Sequence, residues 1–217
     1  MDSKTHQVMI VDDHPIVREG LKVYIATQPD LAICAETGSI RAAQQLVRKQ
    51  QPDLIIVDLF LEDGNGLELI KRLRYQYAEL KILVCSMSDE MLFAERAVNA
   101  GANGYINKQE VAEHVVTAVR QILAGKIYFS PNMVQHVISG FANGVPITHS
   151  PIDVLSDREL EVFTLIGKGH ATSKIAAQLH LSVKTIETHR DKIKRKLGLT
   201  SGNQLVRHAV QWDLEKR

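Results

Sequence analysis

The chain of 217 residues is poor in the features that mark several large protein classes. It carries only two cysteines, Cys34 and Cys85, each inside an apolar run and neither in a C-x-x-C pair. That excludes a disulfide framework and a zinc ribbon, and it predicts two small buried hydrophobes in a reducing compartment. Nine histidines are scattered without H-E-x-x-H or comparable ligand spacing, so they read as ordinary surface or core side chains. Neither G-x-G-x-x-G nor G-x-x-x-x-G-K-[ST] occurs, which argues against a nucleotide-binding enzyme. No apolar run approaches the ~20 residues that cross a bilayer. The segment Met1-Asp2-Ser3-Lys4-Thr5-His6 lacks an apolar signal region, so the expectation is a cytoplasmic protein with no membrane partner. Internal repeats, heptads and low-complexity tracts are also missing.

What is present is an apolar content of 45%, enough for two cores, and a hidden charge asymmetry. Residues 1–150 hold 14 Lys+Arg against 17 Asp+Glu, whereas 151–217 hold 12 against 8. A mildly acidic module is joined to a basic one, which points weakly to nucleic acid on the C-terminal side. From Gln7 to about Gly125, short apolar runs (7–12, 31–35, 53–58, 81–86, 104–107) alternate with helical patterns (14–27, 40–50, 65–76, 90–100, 110–124). The first, third and fourth runs are continuously apolar, as expected of strands buried on both faces of a parallel sheet. This predicts an α/β, doubly wound domain. Ser39 is expected to cap the second helix, Gly101 to end the fourth, and Gly64-Asn65-Gly66 to form a flexible loop. Periodicity fades after 126, with Pro131, Gly140, Gly144, Pro146 and Pro151, as in a linker that has room for a short helix at 132–141. From Leu155 the pattern is all helical. Ser156 with Glu159, and Ser201 with Gln204, read as capping boxes that open helices near 157 and 202. Between them lie a helix at about 172–179 and a longer one ending at Leu197-Gly198.

Three strand ends carry chemistry. Asp12-Asp13, Asp58 and Lys108 each close an apolar run, so each surfaces at the carboxyl edge of a parallel sheet, where open α/β sheets bind ligands. A carboxylate can take a phosphoryl group if a cation neutralises the crowded negative charge. Asp58 is the expected acceptor. Mg2+ would be held by Asp13 and Asp58, with Asp12 orienting bound water and the Phe60 carbonyl as a further ligand. Lys108 and the Ser86 hydroxyl would contact phosphoryl oxygens.

The stretches Val11-Asp12-Asp13-His14-Pro15, Val57-Asp58-Leu59, Cys85-Ser86 and Gly101 to Lys108 (G-A-N-G-Y-I-N-K) resemble the receiver domain of two-component response regulators. The resemblance implies the flavodoxin-like five-stranded order 2-1-3-4-5, which general accounts of the fold illustrate with the chemotaxis receiver. It also implies a sensor histidine kinase as phosphodonor and Ser86 with Tyr105 as a switch pair drawn inward on phosphorylation. Leu61-Glu62-Asp63 stands where many relatives have Met-Pro-Gly, so the loop after Asp58 is expected to be more acidic and less rigid. Gln109 follows the lysine in place of the frequent Pro or Asp.

In the C-terminal part, Ile175, Ala176, Leu179, Leu181, Val183, Ile186, Ile193 and Leu197 trace an inward stripe, while Lys184, Arg190, Lys192, Lys194, Arg195 and Lys196 make the second helix basic. A tight turn before a basic helix is a helix-turn-helix pattern. Leu155 to Val162 and Leu181 to Gly198 resemble the small all-α LuxR-type DNA-binding domain, and with the receiver they identify the NarL/FixJ response-regulator subfamily. By that resemblance Lys184, Glu187, Thr188 and Asp191 face the groove, with Arg190, Lys192 and Lys194 on the phosphate backbone. Ala171 stands where Ser is frequent, which is expected to move the helix cap to Thr172. The implied partners are promoter double-stranded DNA, RNA polymerase as a candidate, and a second copy on phosphorylation. Helix 202–212 (Leu205, Val206, Ala209, Val210, Trp212) offers either a dimer surface or core packing. The expected organisation is a receiver at 6–125, a linker at 126–149 and a DNA-binding domain at 150–217, in a transcription regulator that is not an enzyme.

Overall fold

The computed structural model describes residues 5–88, 90–131, 133–135 and 151–215. The chain divides into two compact units, residues 1–144 and 145–217, each described by itself. Within the first, β1 (His6–Val11), β2 (Leu31–Thr37), β3 (Leu54–Val57), β4 (Lys81–Ser86) and β5 (Gly104–Asn107) form a parallel sheet in the order β2-β1-β3-β4-β5. Its flanking helices include α1 (Pro15–Ala26), α2 (Ile40–Gln50), α3 (Gly66–Gln76), α4 (Glu90–Ala100) and α5 (Val111–Leu123). Expected and observed limits agree within two residues.

The continuous apolar character of β1, β3 and β4 has its expected cause. Val8, Ile10, Leu54, Ile56, Leu83 and Cys85 pack with Leu21 and Ile25 of α1 and with Val115, Val119 and Ile122 of α5. Alternate residues (Met9, Ile55, Val57, Ile82, Val84) are equally buried, facing the other side of the pleat. There α3 neighbours both α2 and α4. Ser39 caps α2 by accepting from the Ala42 amide, and Gly101 follows α4 with φ 107°. The five parallel strands place their carboxyl ends on one edge. Two ladder bonds run one residue beyond the strands, from Asp12 N to Thr37 O and from Asp58 N to Val11 O, so both carboxylates start from fixed backbone.

Gly64-Asn65 is not a free loop: it pairs antiparallel with Phe60–Leu61 in a two-residue ribbon that brings the chain from Asp58 into α3. A Cβ on Gly66 would stand 2.1 Å from the Asp58 carbonyl oxygen, so only glycine fits beneath that backbone. The short helix expected at 132–141 falls largely outside the described residues.

The second unit follows a 3-10 turn at Pro151–Val154 with α6 (Asp157–Gly167), α7 (Thr172–Gln178), α8 (Val183–Lys196) and α9 (Gly202–Glu215). Leu160, Phe163, Ile175, Ile186, Ile193, Leu205 and Ala209 make its core. Both arms of the Ser156–Glu159 capping box are present. The second box is only half formed: Ser201 Oγ accepts from Gln204 N, but the Gln204 carbonyl takes the Thr200 amide and hydroxyl instead. The cap of α7 did not move to Thr172. Ala171 holds the extended N-cap conformation without a side-chain bond, and Thr172 is already the first helical residue.

Gly66→Ala is expected to destabilise the chain by at least ~2 kcal/mol, through overpacking against backbone. Gly20→Ala, in the middle of α1 with nothing within 4 Å of the added carbon, should stabilise by ~0.5–1 kcal/mol. Urea unfolding of the two variants checks the pair of signs.

Candidate functional site

The carboxyl edge of the sheet brings Asp12, Asp13 and Asp58 together with His14 so that one ligand atom from each lies within 4.8 Å of the others. Asp12 is 2% exposed and Asp58 4%. Lys108 reaches in from the end of β5 with Nζ 2.7 Å from Asp12 Oδ2 and 2.6 Å from Asp58 Oδ2. Burial pushes the Asp58 carboxyl above the ordinary carboxylate range; the Lys108 charge and bonds from Lys108 and Ser86 oppose the rise, and the Asp12 charge adds to it. Burial alone would lower Lys108, but Asp58 and Asp12 outweigh it and hold the ammonium above its usual value. One cation is therefore shared between two buried carboxylates, with Asp13 adding a third negative group.

The histidine reading is corrected at one position. His14 Nδ1 lies 2.6 Å from Asp13 Oδ1, 3.2 Å from Asp12 Oδ1 and 3.5 Å from Lys108 Nζ, so this side chain belongs to the pocket. Its place directly after two acidic residues was the available signal. The acidic loop is also fastened, against the expectation of looseness. Glu62 N donates to Asp13 Oδ2 at 2.8 Å. Asp63 accepts from Ile40 N at 3.0 Å and from Ser39 Oγ at 2.7 Å, capping α2.

The donor set fits a hard divalent cation. Asp12 Oδ2 and Asp13 Oδ1 are buried without a well-directed hydrogen bond, although charged neighbours stand close to both. Oxygen groups in this condition gain most from a metal. Ser86 is buried beside Asp58 and accepts from Ser88 N at 3.3 Å. Tyr105 is 1% exposed, and its hydroxyl donates to Ser88 O at 2.8 Å. The ring expected to move inward on phosphorylation is already inside in this structure.

In the second unit Lys184, Glu187, Thr188, Asp191, Lys192 and Arg195 are all exposed along α8. Arg190 and Lys194 are half-buried and paired, with Glu187 at 3.5 Å and Asp191 at 2.8 Å. Val183 is 50% exposed, outside the inward stripe. Lys196 is exposed but tied to the small unit's own fold: its Nζ lies 2.6 Å from Glu159 Oε2, which also accepts the Ser156 amide. On α9, Leu205 and Ala209 are core and Trp212 lies against Phe163, with ring centroids 5.5 Å apart. The outward apolar stripe is Val206, Val210 and Leu214.

Residues 8–120 match the response regulator receiver domain, and residues 153–209 match the bacterial regulatory proteins of the luxR family. The chain belongs to the luxR-type response regulators. It is 34% identical over 210 residues to the oxygen regulatory protein NreC of Staphylococcus carnosus, covering 94% of this chain and 97% of that one. A LuxR-family two-component response regulator from Aurantimonas superposes with TM-score 0.60 at 35% identity, covering 64% of this chain and 99% of that one. RcsB of Salmonella enterica serovar Typhimurium, solved on promoter DNA with the phosphomimetic BeF3-, shares the fold at TM-score 0.62, with 23% identity over 95% of this chain and 98% of that one. As a response regulator the protein is a phosphorylation-dependent transcription regulator that binds DNA, not an enzyme. Receiver domains bind Mg2+ at an acidic cluster of the kind formed by Asp12, Asp13 and Asp58.

The raised Asp58 carboxyl has a sign that can be checked. A folded-state pKa above the unfolded value means that the ionised group costs stability. That cost is full above the raised pKa and absent below the ordinary carboxylate range. Asp58→Asn is therefore expected to stabilise this response regulator by roughly 0.5–2 kcal/mol at neutral pH, with the gain fading as the pH falls through the raised titration. Denaturant unfolding at several pH values measures it. Mg2+ at ~100 times its dissociation constant should add about 2.7 kcal/mol to the native chain and nothing to Asp13→Ala.

Proposed function

We propose that Asp58 is the phosphoacceptor and that a sensor histidine kinase is the donor. The observation that carries this reading is a buried carboxylate at the end of β3 held 2.6 Å from a lysine at the end of β5. Asp58 Oδ attacks phosphorus, the bond from phosphorus to the donor imidazole nitrogen breaks, and that nitrogen keeps the electron pair. Lys108 and the Ser86 hydroxyl donate to the phosphoryl oxygens as they gain charge. Asp13, Asp58 and the Phe60 carbonyl would hold Mg2+ and Asp12 would orient its water, the ion supplying neutralisation of the crowded oxygens. Ser86 and Tyr105 report the event through Ser88, which both contact.

In the cytoplasm the phosphorylated chain would pair with a second copy and bind promoter DNA, with RNA polymerase a candidate partner there. The organisation proposed is a receiver at 6–125, a linker at 126–149 and a DNA-binding domain at 150–217. The Val206, Val210 and Leu214 stripe, with Leu214 61% exposed, supports a dimer contact along α9. Helix α8 enters the major groove: Lys184, Glu187, Thr188 and Asp191 meet base edges, and Arg190, Lys192 and Lys194 meet phosphates.

Labelling by acetyl phosphate with Mg2+ should disappear in Asp58→Ala. It should survive in Lys108→Ala, where the DNA-binding response to it should be lost. Wild-type labelling of Asp58→Ala would place the acceptor elsewhere.

The DNA contacts divide by type. Lys192→Ala should weaken binding to all sequences and reduce the salt slope by about one ion. Lys184→Ala or Thr188→Ala should alter preference at single positions by ~1–3 kcal/mol. Arg190 and Lys194 must leave their acidic partners to reach a phosphate, so their removal should have a smaller effect than that of Lys192. Titrations on specific and random duplexes at several salt concentrations test the order.

A further inference from the structure

The chain that leaves α5 does not run free. Tyr128 forms a parallel bridge with Gly104 on the outer edge of β5: Tyr105 N donates to Tyr128 O at 2.9 Å, and Tyr128 N donates to Asn103 O at 3.1 Å. Two residues on, Ser130 N donates to Glu90 Oε1 in the first turn of α4 at 2.9 Å. Ser130 Oγ then accepts from Met133 N, and Met133 is buried. The bridge is built in at backbone level, since a Cβ on Gly104 would stand 2.7 Å from the Tyr128 carbonyl oxygen.

Both attachment points belong to the elements that answer to the pocket. Ser86, bonded to Asp58, accepts from Ser88 N; Ser88 O accepts from the Tyr105 hydroxyl; and Tyr105 N holds the strap. Glu90, two residues past Ser88, opens α4 where the β4–α4 connection ends. We propose that residues 126–131 are a strap on β5 whose docking, through Tyr128 on Tyr105 and Ser130 on Glu90, carries the state of the Asp58 pocket into the chain leading to the DNA-binding unit. This rests on the reading of Asp58 as acceptor. A phosphoryl oxygen that takes the Ser86 hydroxyl in place of the Asp58 carboxylate must shift Ser86 Oγ, the acceptor of the Ser88 amide, and with it the β4–α4 connection, so the two joints must then adjust together or one must open. Glu90 is a positioning residue, acting through Ser130 and touching no reacting atom.

The test uses the full chain, with beryllofluoride and Mg2+ as the probe and binding followed by the fluorine resonance. Amide hydrogen exchange at Tyr105 and Ser130 should change at least ~3-fold when the probe binds. In Glu90→Ala the Ser130 amide should exchange faster at rest and stop responding, and the gain in DNA affinity on probe binding should fall ~5-fold or more. Glu90→Gln, which keeps an acceptor oxygen, should restore both. Gly104→Ala should displace the bridge and reduce the DNA gain while the probe still binds. Unchanged exchange at both amides in a chain that binds the probe would overturn the strap, as would a full DNA gain in Glu90→Ala and Gly104→Ala. Failure of the native chain to bind the probe at all would instead overturn the acceptor reading, and the strap with it.

Discussion

The ion pair of Lys108 with both Asp12 and Asp58 is the interaction on which the first unit turns. It joins the ends of β1, β3 and β5, which are far apart in sequence and meet only because a parallel sheet delivers every strand in the same direction. Burying two carboxylates against one ammonium leaves negative charge uncompensated, and Asp13 adds to it. The pocket is thus poised to accept positive charge, as the acidic clusters of receiver domains do when they bind Mg2+. Its excess charge is the physical reason the domain can hold a state, since any ligand that relieves it changes the balance of bonds to Ser86 and Lys108.

Much of this was legible in the sequence because the signals were local. Continuous apolar runs in β1, β3 and β4 can only be strands covered on both faces, and a polar residue that ends such a run must lie at the sheet edge. Asp12, Asp58 and Lys108 were found that way. What stayed hidden depends on contacts between distant segments. Asp63 looks like a loosening residue until the cap of α2, more than 20 residues away in sequence, is seen to use it. His14 looks like any surface histidine until Lys108 and the two aspartates surround it. The bridge between Gly104 and Tyr128 has no periodic signature at all, because a single pair of residues makes it.

The DNA-binding unit shows the same division. The alternation of apolar and basic residues along α8 gives the helix and its outward face, but helical spacing alone does not tell which bases are free. Lys196 is taken up by Glu159, while Arg190 and Lys194 are held by neighbours on their own helix. Pairs three residues apart on an exposed helix are worth only ~0.2–0.5 kcal/mol, so a phosphate can displace them. The Lys196 pair is different, since its acid is buried and also serves as one arm of the Ser156 capping box. That carboxylate fixes the end of α8 to the start of α6 and so sets the angle between the two helices.

Two buried acids answered by lysine thus serve opposite ends. At Glu159, burial would raise the carboxyl, but the Lys196 bond and the Ser156 amide more than offset it and the group titrates below its ordinary range. Its contribution to stability is present above the unfolded-state value and is lost only as the pH falls through the lowered one. At Asp58 burial wins, because the lysine is shared and a second carboxylate stands beside it. An acid with a lysine and an amide to itself makes a fixed joint between helices. An acid whose lysine is shared, in a pocket with more negative than positive charge, makes a group whose partners change when a cation arrives. The difference lies in depth and in neighbouring charge: Asp58 is sunk far into its pocket beside the Asp12 carboxylate, whereas Glu159 lies just beneath the surface with the Lys196 ammonium and the Ser156 amide to itself.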